Sequence, residues 1–392
     1  MKEPKRILFV SQQIYPFLAE ETPLRMLNRK LPQACQEAGY ETRTFMPKFG
    51  EINERKNQLH EVIRLSGINI IIAEADHPLL LKVASIQSAR IQVYFIDNDD
   101  YFNRRKGVVD QNGAEYPDNE ERCIFFARGT LETIQKLRWL PDIVQCSGWM
   151  SALVPFYLRT AFKDTPFFAR TKVVVGLTDE RFSKPFSPSF ATKTRFEGVN
   201  RDAIAPLFDK EVSYQTLMKL SIKYADAVTI QTPGVDPELI AYAHELGKEV
   251  LDYKGDTSAY VETYRQMLAE MEVRMREEAE KQAELAKNSV VETPPMPKRA
   301  VVEANKRVAS RRRTVVEVQP TTKRRRTTVI EQPSTRRRKA AAEEPKPTRR
   351  RGRADAKQPL SKRAKSATAK KATSKRMTPT KTNRTRKKGN NE

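Results

Sequence analysis

Two stretches decide the fold: Arg6–Ser11, RILFVS, and Lys172–Leu177, KVVVGL. A strand wet on one face alternates apolar with polar residues. These two do not alternate; each is a short continuous apolar run rich in β-branched residues, so each reads as a strand buried on both faces. Outward from the first, polar residues lead to Pro23 and a helical stretch ending at Gly39. Proline at a helix start and glycine just past its end is the expected asymmetry. Glu41–Met46, Ile68–Glu74, Leu79–Ile86 and Ile91–Asp97 read as strands. Asp118–Arg138 reads as a long helix with Cys123, Phe126 and Leu131 among its apolar positions, and Asp118-Asn119 as its cap. Ile143–Cys146 and Ala227–Gln231 read as further strands, and Trp149–Thr160, Val212–Tyr224 and Pro237–Leu246 as helices. Alternating elements with continuously apolar strands predict an α/β domain over residues 1–256: a doubly wound, Rossmann-like parallel sheet covered on both faces.

Two segments follow that domain. Residues 257–289 are charged and free of Gly and Pro, and Val261, Tyr264, Leu268, Met271 and Met275 follow a 3-4-3-4 spacing. This predicts a helix that either packs its first turns on the domain or pairs with a second copy as a short coiled coil, a route to a homodimer. From residue 290 aromatic residues vanish and Pro, Thr, Lys, Arg and Ala dominate. Such a chain buries too little apolar surface to offset its ordering entropy, so 290–392 is expected to be a disordered basic tail.

The charge is divided the same way. The whole chain carries +23, but residues 292–392 hold 33 Lys and Arg against 8 Asp and Glu, a net of +25, which leaves the first 291 residues at −2. The tail repeats Arg triplets: Arg311, Arg312, Arg313; Arg324, Arg325, Arg326; Arg336, Arg337, Arg338; and Arg349, Arg350, Arg351. A dense, nearly aromatic-free run of Arg resembles a linker-histone-like tail. It predicts binding to nucleic acid or another polyanion through phosphates, salt-dependent and without reading bases.

Several chemistries find no support. Cys35, Cys123 and Cys146 form no CxxC or Cys/His spacing, which argues against zinc, and an odd count with no framework fits a reducing compartment. His60, His77 and His244 have no ligand partner at metal-binding spacing, and Asp97, Asp99 and Asp100 read as a strand end and turn, so no metal and no cofactor is expected. No apolar run approaches the length of a membrane span or a signal-peptide core, so a cytoplasmic protein without membrane partners is expected, with nucleoid association an option through the tail. There is no Gly-x-Ser-x-Gly, P-loop or Cys-His pairing. The first strand-to-helix turn, where phosphates usually sit, is SQQIYPFLAEETPL, without glycine or lysine and with two carboxylates, Glu20 and Glu21.

Six ordered segments carry a family resemblance. They are residues 7–17 (ILFVSQQIYPF), 31–50 (LPQACQEAGYETRTFMPKFG), 93–105 (VYFIDNDDYFNRR), 116–132 (YPDNEERCIFFARGTLE), 139–158 (WLPDIVQCSGWMSALVPFYL) and 223–240 (KYADAVTIQTPGVDPELI). Together they resemble the N-terminal half of bacterial starch/glycogen synthases. The resemblance implies one half of a two-domain GT-B fold, whose active site lies in the cleft and transfers glucose from ADP-glucose to a glucan. The departures are as clear. The family's Lys-Thr-Gly-Gly-Leu falls within Ala19–Leu24, here AEETPL; its His-x-His-Asp-Trp is Gln145-Cys146-Ser147-Gly148-Trp149; its Ile-His-Asn is Gly176-Leu177-Thr178. Nothing like the second domain follows Tyr253.

The resemblance leaves Tyr101, Asn119, Ser147 and Trp149 as residues of an ancestral cleft, with no confident catalytic residue. Tyr101, Phe102 and Trp149 either line a sugar-stacking surface or pack in the core. Three functions stand: a synthase-like binding scaffold for glucan or sugar nucleotide with a polyanion-binding tail, a glucosyltransferase completed by a partner subunit, and a nucleoid-associated protein. The substituted AEETPL and QCSGW segments favour the first.

Overall fold

The computed structural model describes residues 4–291, with side chains through Leu285. The strands are β1 (Arg6–Ser11), β2 (Glu41–Pro47), β3 (His60–Glu61), β4 (Ile68–Ile72), β5 (Ala75–Ile86), β6 (Ile91–Asp97), β7 (Ile143–Ser147), β8 (Lys172–Leu177), β9 (Ala227–Ile230) and β10 (Glu249–Leu251). The α-helices are α1 (Pro23–Glu37), α2 (Asn119–Leu137), α3 (Leu153–Arg159), α4 (Phe190–Thr194), α5 (Arg201–Ile204), α6 (Tyr214–Lys223), α7 (Pro237–Glu245) and α8 (Ser258–Val291).

The sheet runs β10-β9-β8-β7-β1-β2-β6-β5-β3, with β4 paired to β5. From β10 to β6 every pairing is parallel. This is the expected doubly wound α/β architecture, and its order reverses at β1, which lies between β2 and β7. One edge departs from the expectation of a parallel sheet, since β3, β4 and β6 all pair antiparallel with β5. The cause is connection length. A short turn at 87–90 joins β5 to β6, and Ala73-Glu74, both at positive φ, turn β4 into β5. Links this short join only antiparallel neighbours.

The pleat sorts the central strands into two cores. Leu8 and Val10 of β1, with Val144, Cys146, Val173, Val175 and Val228, join the larger core with α2, α3, α6 and α7. Ile7 and Phe9 point the other way and meet Leu31 and Cys35 of α1, Ile143, Val174, Ala227 and the first turns of α8. In α8, Tyr260, Val261, Tyr264, Met267, Leu268 and Met271 are all buried there. The winding explains this. Crossovers from β7 to β10 put their helices on one face, and α1 covers only part of the other, so α8 closes what remains. The apolar stripe offered in sequence for pairing with a second copy is therefore occupied, through Met271, by this chain's own sheet. Among the described residues no helix is long and apolar enough to cross a membrane. The tail and its Arg triplets lie outside the described residues.

Candidate functional site

In an open doubly wound sheet the ligand crevice lies beyond the carboxyl ends of the strands where the order reverses. A cavity of about 290 Å³ occupies that place. Gln12 and Gln13 reach it from the end of β1, Trp149 from beyond β7, and Glu180 and Arg181 from beyond β8. Phe49 and Glu51 follow β2, Arg25 comes from α1, and Gly107 and Val108 close the far wall.

Its two arginines are held by carboxylates outside the lining. Arg25 donates from Nε to Gln13 Oε1 at 2.5 Å and from Nη1 to the Glu20 carbonyl at 3.1 Å, and lies 3.4 Å from the Glu20 carboxylate. Arg181 is 3.4 Å from Asp236 and donates to the Gly234 carbonyl at 3.2 Å. Glu51 and Glu180 add two carboxylates, both held above the usual carboxylate range, chiefly by burial. Gln13 and Arg25 draw Glu180 partly back. The lining thus carries two arginines and two carboxylates, rather than a cluster of free cations.

The four cleft residues expected from sequence separate. Trp149 lines the cavity, but only 2% of it is exposed. Its ring packs edge-on against Phe182 and Phe186, at centroid distances of 5.2 and 6.0 Å. Tyr101 is buried beyond β6, its hydroxyl 3.0 Å from His77 Nε2 and its ring against Phe125. Phe102 is fully buried beside it. All three rings are buried, Trp149 at the edge of the cavity. Ser147 is buried at the end of β7, where its carbonyl accepts from the Gln12 N–H at 3.0 Å.

Asn119 acts at one remove. Its Nδ2 donates to the Val108 carbonyl at 2.9 Å, and its Oδ1 accepts from Arg122 Nη1 at 2.6 Å. Arg122, fully buried, donates through Nη2 to the Gly107 carbonyl at 2.8 Å. The pair therefore holds the loop that forms the cavity's far wall. Burial lowers the Arg122 guanidinium to about 10. Asp118 stands at the cap position of α2 but makes no cap hydrogen bond; its carboxylate goes to Arg105 at 3.2 Å. That corrects the simple cap reading.

The substituted signature has been repacked. Gly148 has φ of 85°, and a Cβ there would come within 2.9 Å of Gln12 Cβ. Gln12 lies across it and accepts from the Met150 N–H at 3.2 Å. Gln145, at the position where the resemblance puts a family His, accepts from the Tyr264 hydroxyl at 2.7 Å and so ties β7 to α8. Asp97 is fully buried and lies 2.8 Å from Lys82. Among the described residues no group of three His, Cys, Asp or Glu could hold a metal. All three cysteines are buried and free.

Sequence reading missed Gln12, Gln13, Arg25, Glu51, Glu180 and Arg181. Four of them directly follow β1 or sit within four residues of the end of β8, so strand-end position, not residue chemistry, was the available signal.

Fold and cavity together define a doubly wound α/β domain with its ligand crevice at the reversal of strand order. Residues 6–251 match the starch synthase catalytic domain family, and the chain belongs to that family. The glycogen synthase of Chlorobaculum parvum is 35% identical over 234 residues, covering 58% of this chain and 46% of that protein. The glycogen synthase of Chlorobium limicola is 40% identical over 171 residues, covering 43% and 35%. The chain thus spans less than half the length of these curated relatives. In architecture it resembles the catalytic domain of starch synthase IV from Arabidopsis thaliana, solved with ADP and acarbose. That likeness has a TM-score of 0.51 at 15% identity and covers 64% of this chain and 51% of that one.

Proposed function

We propose that this chain is a carbohydrate-binding member of the family that does not itself transfer glucose, with its Arg-rich tail attached to a polyanion. One observation carries the reading. At the turn after β1, the only cation is Arg25, and it is committed to Gln13 and Glu20. Stabilising a departing diphosphate needs preorganised positive charge, and Glu20, Glu51 and Glu180 oppose it here. Amides, carboxylates and arginines side by side suit the neutral hydroxyls of a glucan, accepting and donating in turn.

The test incubates purified full-length protein with ADP-glucose and glycogen, measuring ADP release, and separately titrates it with maltoheptaose. Arg181→Ala serves as the site variant, because Trp149 is core and its removal would disturb the fold. The expected result is no ADP release, with maltoheptaose binding weakened at least tenfold in Arg181→Ala. Turnover lost in the variant would replace this reading with a glucosyltransferase whose missing half comes from another chain, in keeping with the shortness of the match to full-length synthases.

A further inference from the structure

A second cavity, of about 390 Å³, lies on another side of α1. It shares no lining residue with the strand-end cavity. Met26, Leu27 and Lys30 line it at helical spacing from α1, Gln231 from the end of β9, and Tyr253 and Asp256 from the approach to α8. Arg25, which serves the other cavity, faces away from this row.

Gln231 forms the floor. It is 1% exposed, and among the described residues neither its Oε1 nor its Nε2 has a hydrogen-bond partner. The amide lies flat over Gly176, where a Cβ would come within 2.3 Å of Gln231 Cδ, so only glycine at 176 admits it. Buried amides are almost always paired, because losing water without a replacement is costly. Among the described residues the Gln231 amide has no such replacement. Around the amide, Met26 and Leu27 give apolar wall and Tyr253 a ring 39% exposed. At the rim, Lys30 has no ion-pair partner among the described residues. Asp256 uses Oδ1 to cap α8, accepting from the Ser258 N–H at 2.8 Å, which leaves Oδ2.

A side-chain amide makes two parallel hydrogen bonds with a flat edge that carries a donor beside an acceptor, the edge a nucleobase presents. Apolar and aromatic walls suit the faces of such a base, a carboxylate suits ribose hydroxyls, and a lysine suits a phosphate. We propose that this cavity binds the base of a nucleoside or nucleotide, with the Gln231 amide turning off Gly176 into the cavity to pair with the base edge. The site is independent of the strand-end cavity and of any function assigned to it.

The test titrates full-length protein calorimetrically with adenosine, cytidine and AMP. The uncharged nucleosides come first because the basic tail cannot hold them by charge. At least one nucleoside is expected to bind, with affinity reduced tenfold or more in both Gln231→Leu and Tyr253→Ala. Gln231→Leu should melt no lower than the parent, since it removes an unpaired amide. If it does melt lower, Tyr253→Ala, at an exposed position, decides alone. Lys30→Ala should weaken AMP while leaving nucleosides unchanged if a phosphate is part of the ligand, and should change neither if the ligand is a nucleoside. Saturating maltoheptaose should not compete. No binding of any base at millimolar concentration would overturn the proposal and leave a water as the partner of Gln231; so would binding that both variants retain.

Discussion

Asp142 and Asp226 belong to the most recognisable motifs in the chain, yet both sit at the amino ends of the strands, opposite the cavity. Asp142 accepts from the Arg6 N–H at 2.8 Å, joining β1 to the approach to β7. Asp226 accepts from Arg159 at 2.6 Å and from the Val173 N–H at 2.8 Å, and lies 3.2 Å from Lys172, so it joins α3, β8 and β9. Burial alone would raise the Asp226 carboxyl; Arg159, the Val173 N–H and Lys172 outweigh it and hold the group below its ordinary range. A carboxylate with a depressed folded pKa contributes stability that is whole above its unfolded pKa of about 3.9 and lost as pH falls through the folded value. Asp226→Asn is therefore expected to cost about 1–3 kcal/mol at pH 7, the worth of charge-assisted hydrogen bonds. In urea unfolding that difference should shrink as the pH approaches about 3. An undiminished loss in acid would show that shape, not charge, holds these elements.

At the scale of elements, α8 does what no other described helix can. Its buried residues meet β1, β7, β8 and β9 on the face that the crossovers leave open. Tyr264 anchors it through a fully buried hydroxyl on Gln145, and Tyr260 donates to the Ile230 carbonyl at 2.8 Å. Tyr264→Phe keeps the ring but leaves the Gln145 carbonyl oxygen unpaired in the core. A loss of about 1–3 kcal/mol is expected, measured by thermal or chemical unfolding. Made in a Gln145→Leu background, where the Gln145 bonds to the Cys146 carbonyl and Thr229 Oγ1 are already gone, Tyr264→Phe should recover much of that loss, because its own partner is then absent. No recovery would mean that the hydrogen bond does not couple α8 to the sheet.

The whole molecule divides by charge: −2 over the first 291 residues, +25 over the rest. Any polyanion binding should then belong to the tail. Binding of duplex DNA, followed by fluorescence anisotropy, is expected to fall steeply between about 50 and 200 mM salt. Removing residues 292–392 should abolish it without lowering the melting temperature of the α/β domain. DNA binding that survives the deletion would transfer the interaction to the near-neutral domain and end the tail reading.

Much of this was legible in the residues themselves. Continuous apolar runs such as RILFVS and KVVVGL dictated buried parallel strands, because a pattern with no polar phase has no wet face to offer. The six ordered segments from Ile7 to Ile240 marked the family, and the Arg triplets marked the charge division. Antiparallel pairing at the β5 edge, the pairing of Arg25 with Glu20, and the withdrawal of Trp149 into an aromatic cluster were decided only by tertiary structure. Whether a tryptophan stacks on a ligand or packs edge-on against Phe182 depends on which distant segment reaches it first. So does whether Gln145 keeps a place in a site or binds Tyr264, 119 residues away. Local pattern determines which face of an element is apolar; only the folded chain determines what covers that face.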